Sequence, residues 1–319
     1  MINEAEVVRL VQSHFPENAI AQVEDLGVWV RHTYRIRFRD RGAVIYKFHI
    51  HPEWLDGSVH EYRVCEILKK NDLPAPEVLV VDNSCELVKL PFVVMEQGRG
   101  ERLDRLIQTY PDDEVAQMYR AVGEFYRRLH SIPGVQSGVW VDNPDDVFPD
   151  SPNDYLYENE LVQGSALLLA ERHIITTLMH QRIMDLWLGN MDLLKTHQPV
   201  MVHGSPFPWT IYLEKSDIKW QVTRIGAMGD TLWWDAMYDQ AFLIDPPFTW
   251  MFDPWRVAFV QGYGKTPDVP RLMLYRLLQI VCAVNDVYMQ PEAGQNEAWK
   301  QYALQSLPRM LTSLENQLK

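Results

Sequence analysis

Between Val200 and Leu243 the stretch VMVHGSPFPWTIYLEKSDIKWQVTRIGAMGDTLWWDAMYDQAFL gathers most of the side chains that could do chemistry. Ser205, directly after His203 and Gly204, invites a serine hydrolase reading. Nothing like a G-x-S-x-G elbow surrounds it, however, and Pro206 follows at once, so a nucleophilic serine is not supported. Asp230, Asp235 and Asp239 supply carboxylate oxygens, the donors a hard cation such as Mg²⁺ prefers. The aromatic residues Trp209, Trp233, Trp234, Trp250, Phe252 and Trp255 read first as packing. They are also the residues with which a pocket for a cationic or planar ligand is walled.

The bulk of the sequence excludes several classes. The chain has 319 residues, 47% of them hydrophobic and 23% charged, which is ample for a large core. Its net charge is −13 with no basic stripe or tail, so nucleic acid and anionic membranes are poor partners. A cationic small molecule or a basic protein suits that charge better. No apolar run reaches the roughly 18 to 20 residues of a membrane span, since Asp82, Glu86 and Lys89 interrupt the nearest candidate. The start, MINEAEVVRL, is acidic early and lacks a signal-like apolar core, so a cytoplasmic location is the expectation. Cys65, Cys85 and Cys282 are scattered, without a CxxC pair, and read as buried thiols rather than as a disulfide or zinc framework.

The elements that must position these groups follow from hydrophobic period. Val7, Val8, Leu10 and Val11 predict an amphipathic first helix, and residues 19–50 predict strands, with a turn near Gly27. A helix is expected at 57–71, capped by Ser58, with Val59, Tyr62, Cys65, Ile67 and Leu68 on its apolar face. Two more strands follow the prolines of LPAPEV. Past the GRGE at 98–101 the period changes to helical, over 101–132, 160–196, about 253–263, 270–288 and 296–318. Two short strands flank the turn from Glu214 to Lys219. The expected architecture is α+β and two-lobed, with a β-rich N-lobe at 1–98 and a mainly helical C-lobe at 99–319.

The order of these motifs resembles the aminoglycoside phosphotransferase and choline kinase family, which has the protein-kinase-like fold. Lys47 in VIYKFHI stands where the family keeps the lysine that holds nucleotide phosphates, and Glu61 where it keeps the glutamate orienting that lysine. Backbone groups from Glu96 to Gly98 fall where the hinge meets adenine. The family's catalytic loop reads HGDxxxxN; here it runs from His203 to Thr210, with Ser205 in place of the aspartate and Thr210 in place of the asparagine. The metal loop reads IDWxDxxxGDPxYDLA; His203 and Gly204 before it and Asp230, Asp235, Tyr238, Asp239 and Ala241 within it fix the register and put Ala227 on the metal-binding aspartate. The resemblance also implies that His203 is a loop-organising residue rather than a catalytic one, and that Asp235 and Asp239 anchor structure. Trp29 and Val30 occupy the phosphate-covering loop, where small residues normally let backbone N–H groups approach phosphate.

Phosphoryl transfer depends on positioning the acceptor and neutralising phosphate charge. A serine hydroxyl cannot carry the charge of the catalytic aspartate, alanine offers no metal ligand, and Thr210 offers only a neutral hydroxyl. The leading expectation is therefore a pseudokinase that binds a small molecule or a protein and lacks Mg-ATP phosphotransfer. One alternative is an active small-molecule kinase with displaced residues, Asp230 first among them as a metal contact, using ATP and Mg²⁺. The other is a cleft reused for non-phosphoryl chemistry on a natural-product-like molecule, with His203, Ser205, Trp209, Trp233, Trp234 and Asp235 around the ligand.

Overall fold

Alternation in β2 (Arg31–Phe38) is strict: His32, Tyr34, Ile36 and Phe38 are buried. It is the second strand of a five-stranded antiparallel sheet of order β1-β2-β3-β5-β4, with β1 at Ile20–Val28, β3 at Val44–His49, β4 at Val78–Asp82 and β5 at Phe92–Glu96. The computed structural model describes residues 2–28, 31–50, 57–138, 140, 156–196, 198–244, 251–289 and 297–317. Trp29, Val30, Trp250 and the polar insertion at 141–155 lie outside the described residues. The packing divides the chain into two units: Met1–Arg105 with Trp140–Asp146 and Trp209–Thr231, and the remainder.

In the first unit one sheet face, with Tyr34, Ile36, Tyr46, Phe48, Phe92 and Val94, packs with α1 (Glu4–His14) through Val7, Leu10 and Val11. A reciprocal capping box between Asn3 and Glu6 starts that helix. The opposite face carries Ile45, Val93 and Met95 and, because alternate residues of a strand share a face, also Lys47 and His49. Helix α2 (Gly57–Lys70) buries Ser58, His60, Glu61, Val64, Cys65 and Leu68. This corrects the expected apolar face: Val59, Tyr62 and Ile67 are only partly buried, and the buried stripe holds polar residues. Ser58 lies inside the helix and hydrogen-bonds Asn83 instead of capping. The two-residue strand β6 (Glu101–Arg102), β8 (Ile211–Lys215) and β9 (Trp220–Ile225) form a second sheet, turned at the expected place by Ser216 and Lys219.

The second unit is mainly helical. The stretch read as one helix over 101–132 is two, α3 (Leu103–Thr109) and α4 (Asp112–Leu129), because Pro111 has no N–H to continue the first and stands as N-cap of the second. Likewise 160–196 divides into α5 (Leu156–Glu171), α6 (Thr177–Asn190, capped by Thr176) and a 3₁₀ turn, Met191–Thr196. Strand β7 (Val200–Val202) pairs with β10 (Leu232–Trp234), a pairing of distant segments that the sequence reading did not include. Helices α7 (Ala236–Ile244), α8 (Asp253–Tyr263), α9 (Val269–Met289) and α10 (Glu297–Gln317) complete the unit. Its main core gathers on α9, from Leu272 to Val284, against α5, α6 and α10. Helices α4 and α8 approach so closely that a Cβ on Gly262 would lie 2.0 Å from the Arg120 carbonyl oxygen. The architecture is α+β, an antiparallel-sheet N-lobe and a helical C-lobe. Among the described residues no helix is long and apolar enough to cross a membrane.

Candidate functional site

Lys47 projects from β3 onto Glu61 of α2, and the two side chains are hydrogen-bonded. Glu61 is almost wholly buried, 1% exposed. Burial alone would raise its carboxyl, but Lys47 and then Arg31 overcome that and hold it at about 2. Arg31 opens β2 opposite His49 of β3, and its guanidinium stands 3.6 Å from Asp230. His60, one residue before Glu61, donates through Nε2 to the Thr231 carbonyl at 2.9 Å and packs edge-on against Trp140. Helix α2 is thereby tied to the segment that follows β9. Burial pushes His60 down to about 4, and burial together with Arg31 does the same to His49.

The segment after β9, from Gly226 to Asp230, lies in the same unit. β9 ends at Ile225, the Gly226 amide donates to the Thr210 carbonyl at 2.7 Å, and a 3₁₀ turn spans Met228–Asp230. Ala227, between them, has φ 57° and ψ 32°, the left-handed region. Alanine visits that region at a cost, whereas aspartate and asparagine tolerate it better. The backbone at 227 thus has a form that a short polar residue adopts more readily than alanine. Thr210 is buried and closes the turn Pro208–Thr210, in which Trp209 is half-buried. The donors at the two ligand positions, a threonine hydroxyl and none, do not fit Mg²⁺. Among the described residues no three His, Cys, Asp or Glu side chains gather as for a metal.

At the hinge the Glu96 amide donates to the Glu77 carbonyl and the Gln97 amide to Ala43, each at 2.8 Å. Arg41 reaches the Glu96 carboxylate at 3.3 Å. Arg224 lies against Gly98, and its guanidinium stacks 3.7 Å over the Tyr212 ring. Of the backbone N–H groups expected to face adenine, those of Glu96 and Gln97 are therefore committed within the unit.

In the second unit the segment at His203 and Gly204 is firmly held. Asp239, fully buried on α7, accepts the His203 amide at 2.7 Å, the Gly204 amide at 3.0 Å and His130 Nε2 at 3.0 Å. His203 is itself fully buried, with Nδ1 3.0 Å from the Tyr126 hydroxyl. Burial raises the Tyr126 phenol well above its ordinary value, so it stays neutral. Ser205 follows, half-buried. Asp235 caps α7 by accepting the Met237 amide at 3.0 Å and faces Arg271 at 3.3 Å. Trp233 and Trp234 lie in β10 and are buried at 4% and 1%, Trp234 within the main core, so their rings serve packing. Trp255 stacks on Tyr119, with Phe252 edge-on to it.

Sequence reasoning thus reached Lys47, Glu61, His203, Ser205, Thr210, Ala227, Asp230 and Asp235, and the structure divides them by unit: Lys47, Glu61, Thr210, Ala227 and Asp230 in the first, His203, Ser205 and Asp235 in the second. It missed Arg31, His49 and His60. The alternation of β2 and β3 carried a signal for two of them, since it places Arg31 and His49 on the face of Lys47.

A model of the phosphotransferase enzyme family matches residues 24–275. No match was found among curated proteins. Among solved structures, the GDP complex of wild-type aminoglycoside 2'-phosphotransferase-IIIa is similar with a TM-score of 0.71 at 16% identity, over 98% of this chain and 99% of that one. A ternary complex of a thermostable mutant of aminoglycoside phosphotransferase APH(4)-Ia with AMP-PNP and hygromycin B gives 0.70 at 13% identity, over 97% and 98%. The gentamicin complex of APH(2")-IIa gives 0.66 at 15%, over 98% and 97%.

Proposed function

The chain belongs to the phosphotransferase enzyme family, and from that premise we propose that it is a pseudokinase, a binding module of this fold that has given up Mg²⁺-dependent phosphoryl transfer. The observation that carries the reading is the remnant metal loop. Ala227 holds the backbone form of a short polar residue without its ligand atom, and Asp230, the nearest carboxylate on that loop, is engaged by Arg31. Ser205 in the catalytic loop and Thr210 at the second ligand position point the same way. What remains is the Lys47–Glu61 pair in the first unit and, in the second, the His203 loop anchored by Asp239. The ligand is a cationic small molecule or a basic protein segment, which suits a net charge of −13. Three of the similar structures hold gentamicin, kanamycin or hygromycin B, and amino-sugars of this kind are the first small molecules to try. A cytoplasmic location, and partners other than nucleic acid or membrane, belong to the same proposal and suit the acidic chain.

The test is acceptor-dependent ADP release from Mg-ATP over a panel of hydroxylated amines. The expected result is none above the acceptor-free background; turnover with any acceptor overturns the proposal. One observation favours a second reading, a kinase with a displaced metal contact: Asp230 is 37% exposed. That reading requires any phosphotransfer found to vanish in Asp230→Ala with the fold intact.

A further inference from the structure

We infer that the chain fills its own base slot: the Arg224 guanidinium, lying on the Tyr212 ring beside the hinge, takes the place an adenine ring would need. The first unit then does not hold a nucleotide by its base, whatever the phosphates meet; this rests on the family reading above.

The placement follows from strand register. Tyr212 of β8 stands opposite Arg224 of β9 and, on its other side, Arg102 of β6, so the three side chains leave the same face of the small sheet. Leu213 and Val222 are buried on the other face. Arg102 is held by Asp104 through Nε and Nη2. Arg224 lies over the ring instead, its guanidinium carbon 3.7 Å from the centroid. A cation that close covers the ring face, and a second planar group cannot stack there.

The stem of the same side chain covers the hinge. A Cβ on Gly98 would lie 2.7 Å from Arg224 Cδ, and the Glu96 and Gln97 amides are bonded to the Glu77 and Ala43 carbonyls. Each hinge residue expected to face a base is thus bonded or covered. The backbone that follows is fastened to the same hairpin. Thr223 Oγ1 donates to the Arg99 carbonyl at 2.9 Å, and Gly100, at φ 90°, lies so close to that hydroxyl that a Cβ would collide with it. The hinge cannot draw away from Arg224 without breaking this fastening.

Charge lines the opposite wall as well. Arg35 of β2 pairs with Ile45 of β3, two residues from Lys47, so it shares the Lys47 face of the five-stranded sheet, where Glu24 accepts from it at 3.1 Å. Burial lowers the Arg224 pKa and the like charge of Arg35 adds to that, which sets the guanidinium inside the unit and near this face. The Nε atoms of both arginines are buried without a hydrogen-bond partner. Pockets for planar ligands are mostly apolar, whereas two guanidinium groups and a carboxylate stand here.

The test uses the full chain, with adenosine, AMP-PNP and inorganic tripolyphosphate titrated by calorimetry into the native protein, Arg224→Ala and Arg224→Gln, each checked for folding by circular dichroism. Adenosine carries no phosphate and reads the slot alone. The native chain is expected to hold adenosine with a Kd weaker than about 1 mM, and AMP-PNP no more tightly than tripolyphosphate. Arg224→Ala, which bares the ring, is expected to tighten adenosine about tenfold or more, the scale of one base stacked on an aromatic side chain. Arg224→Gln frees less of the ring, is expected to gain less, and keeps the test open if the alanine variant does not fold. Native adenosine binding tighter than about 1 mM, or a native preference for AMP-PNP over tripolyphosphate, overturns the inference. So does a failure of both variants to gain. Base-dependent binding by the native chain without turnover would remove this inference and leave the pseudokinase reading standing, whereas turnover removes that reading whatever adenosine shows.

Discussion

Replacing Lys47 by methionine leaves the buried Glu61 carboxylate with Arg31 as the main remaining cation acting on it. The carboxyl stands at about 2 against an ordinary 4.5, and at about 1.4 kcal/mol per pH unit that depression is worth ~3 kcal/mol at neutral pH. Glu61 is 1% exposed, so solvent screens little of this. The direction follows from the lowered value: the contribution is present above about pH 4.5 and disappears as pH falls toward 2. Breaking one partner out of a buried pair costs about 3–5 kcal/mol in other proteins. Because Arg31 also lowers Glu61, the expected loss for Lys47→Met lies at the low end, ~3 kcal/mol by urea unfolding at pH 7. Adding Glu61→Gln removes the uncompensated charge and is expected to restore most of it. At pH 4.5 the single variant's deficit should shrink, since its carboxyl protonates more readily than the native one. A loss below about 1 kcal/mol for Lys47→Met, or a double variant no more stable than the single, would refute the reasoning.

Acid should act on the first unit in a second way. His49 and His60 are held neutral, both down at about 4, so their contribution is full above about 6.5 and falls as pH drops from there toward 4; His49→Phe should flatten the stability profile across that window. Asp239→Ala leaves the buried His203 amide, the partly buried Gly204 amide and His130 without their acceptor and is expected to cost about 3–5 kcal/mol, read by urea unfolding; Asp239→Asn, which keeps one oxygen, should cost less. Ser205→Asp, Thr210→Asn and Ala227→Asp made together should restore Mg²⁺-linked nucleotide affinity by calorimetry, and Ala227→Asp alone should not lower the melting temperature, because the left-handed backbone there accepts aspartate at least as well as alanine.

Much of the fold was legible because its local signals agree. The capping box at Asn3 and Glu6, the alternation of β2 and the polar turn after Lys215 each say in a few residues what the chain does there. The division of 160–196 was less legible, since the break after α5 carries no proline or glycine and depends on the Thr176 cap. The β7–β10 pairing was hidden for a different reason: three-residue strands far apart in sequence have no periodicity to read. At the site, Lys47, Glu61 and the altered loop positions were found by motif register. Arg31 was not, because nothing marks it within the phosphate-covering stretch and its partner Asp230 lies near the far end of the same unit's chain. The polar stripe of α2 was missed because Glu61 and His60 count as surface residues until Lys47 and the Thr231 carbonyl are brought to them.

The most direct measurement is a Mn²⁺ titration of the chain followed by electron paramagnetic resonance, with and without AMP-PNP, in the native protein and in Asp230→Asn. No protein-dependent Mn²⁺ binding is expected beyond what the nucleotide holds by itself, and no difference between the two proteins. Bound Mn²⁺ that appears with the native chain and is lost in Asp230→Asn would show a working metal site and contradict that expectation.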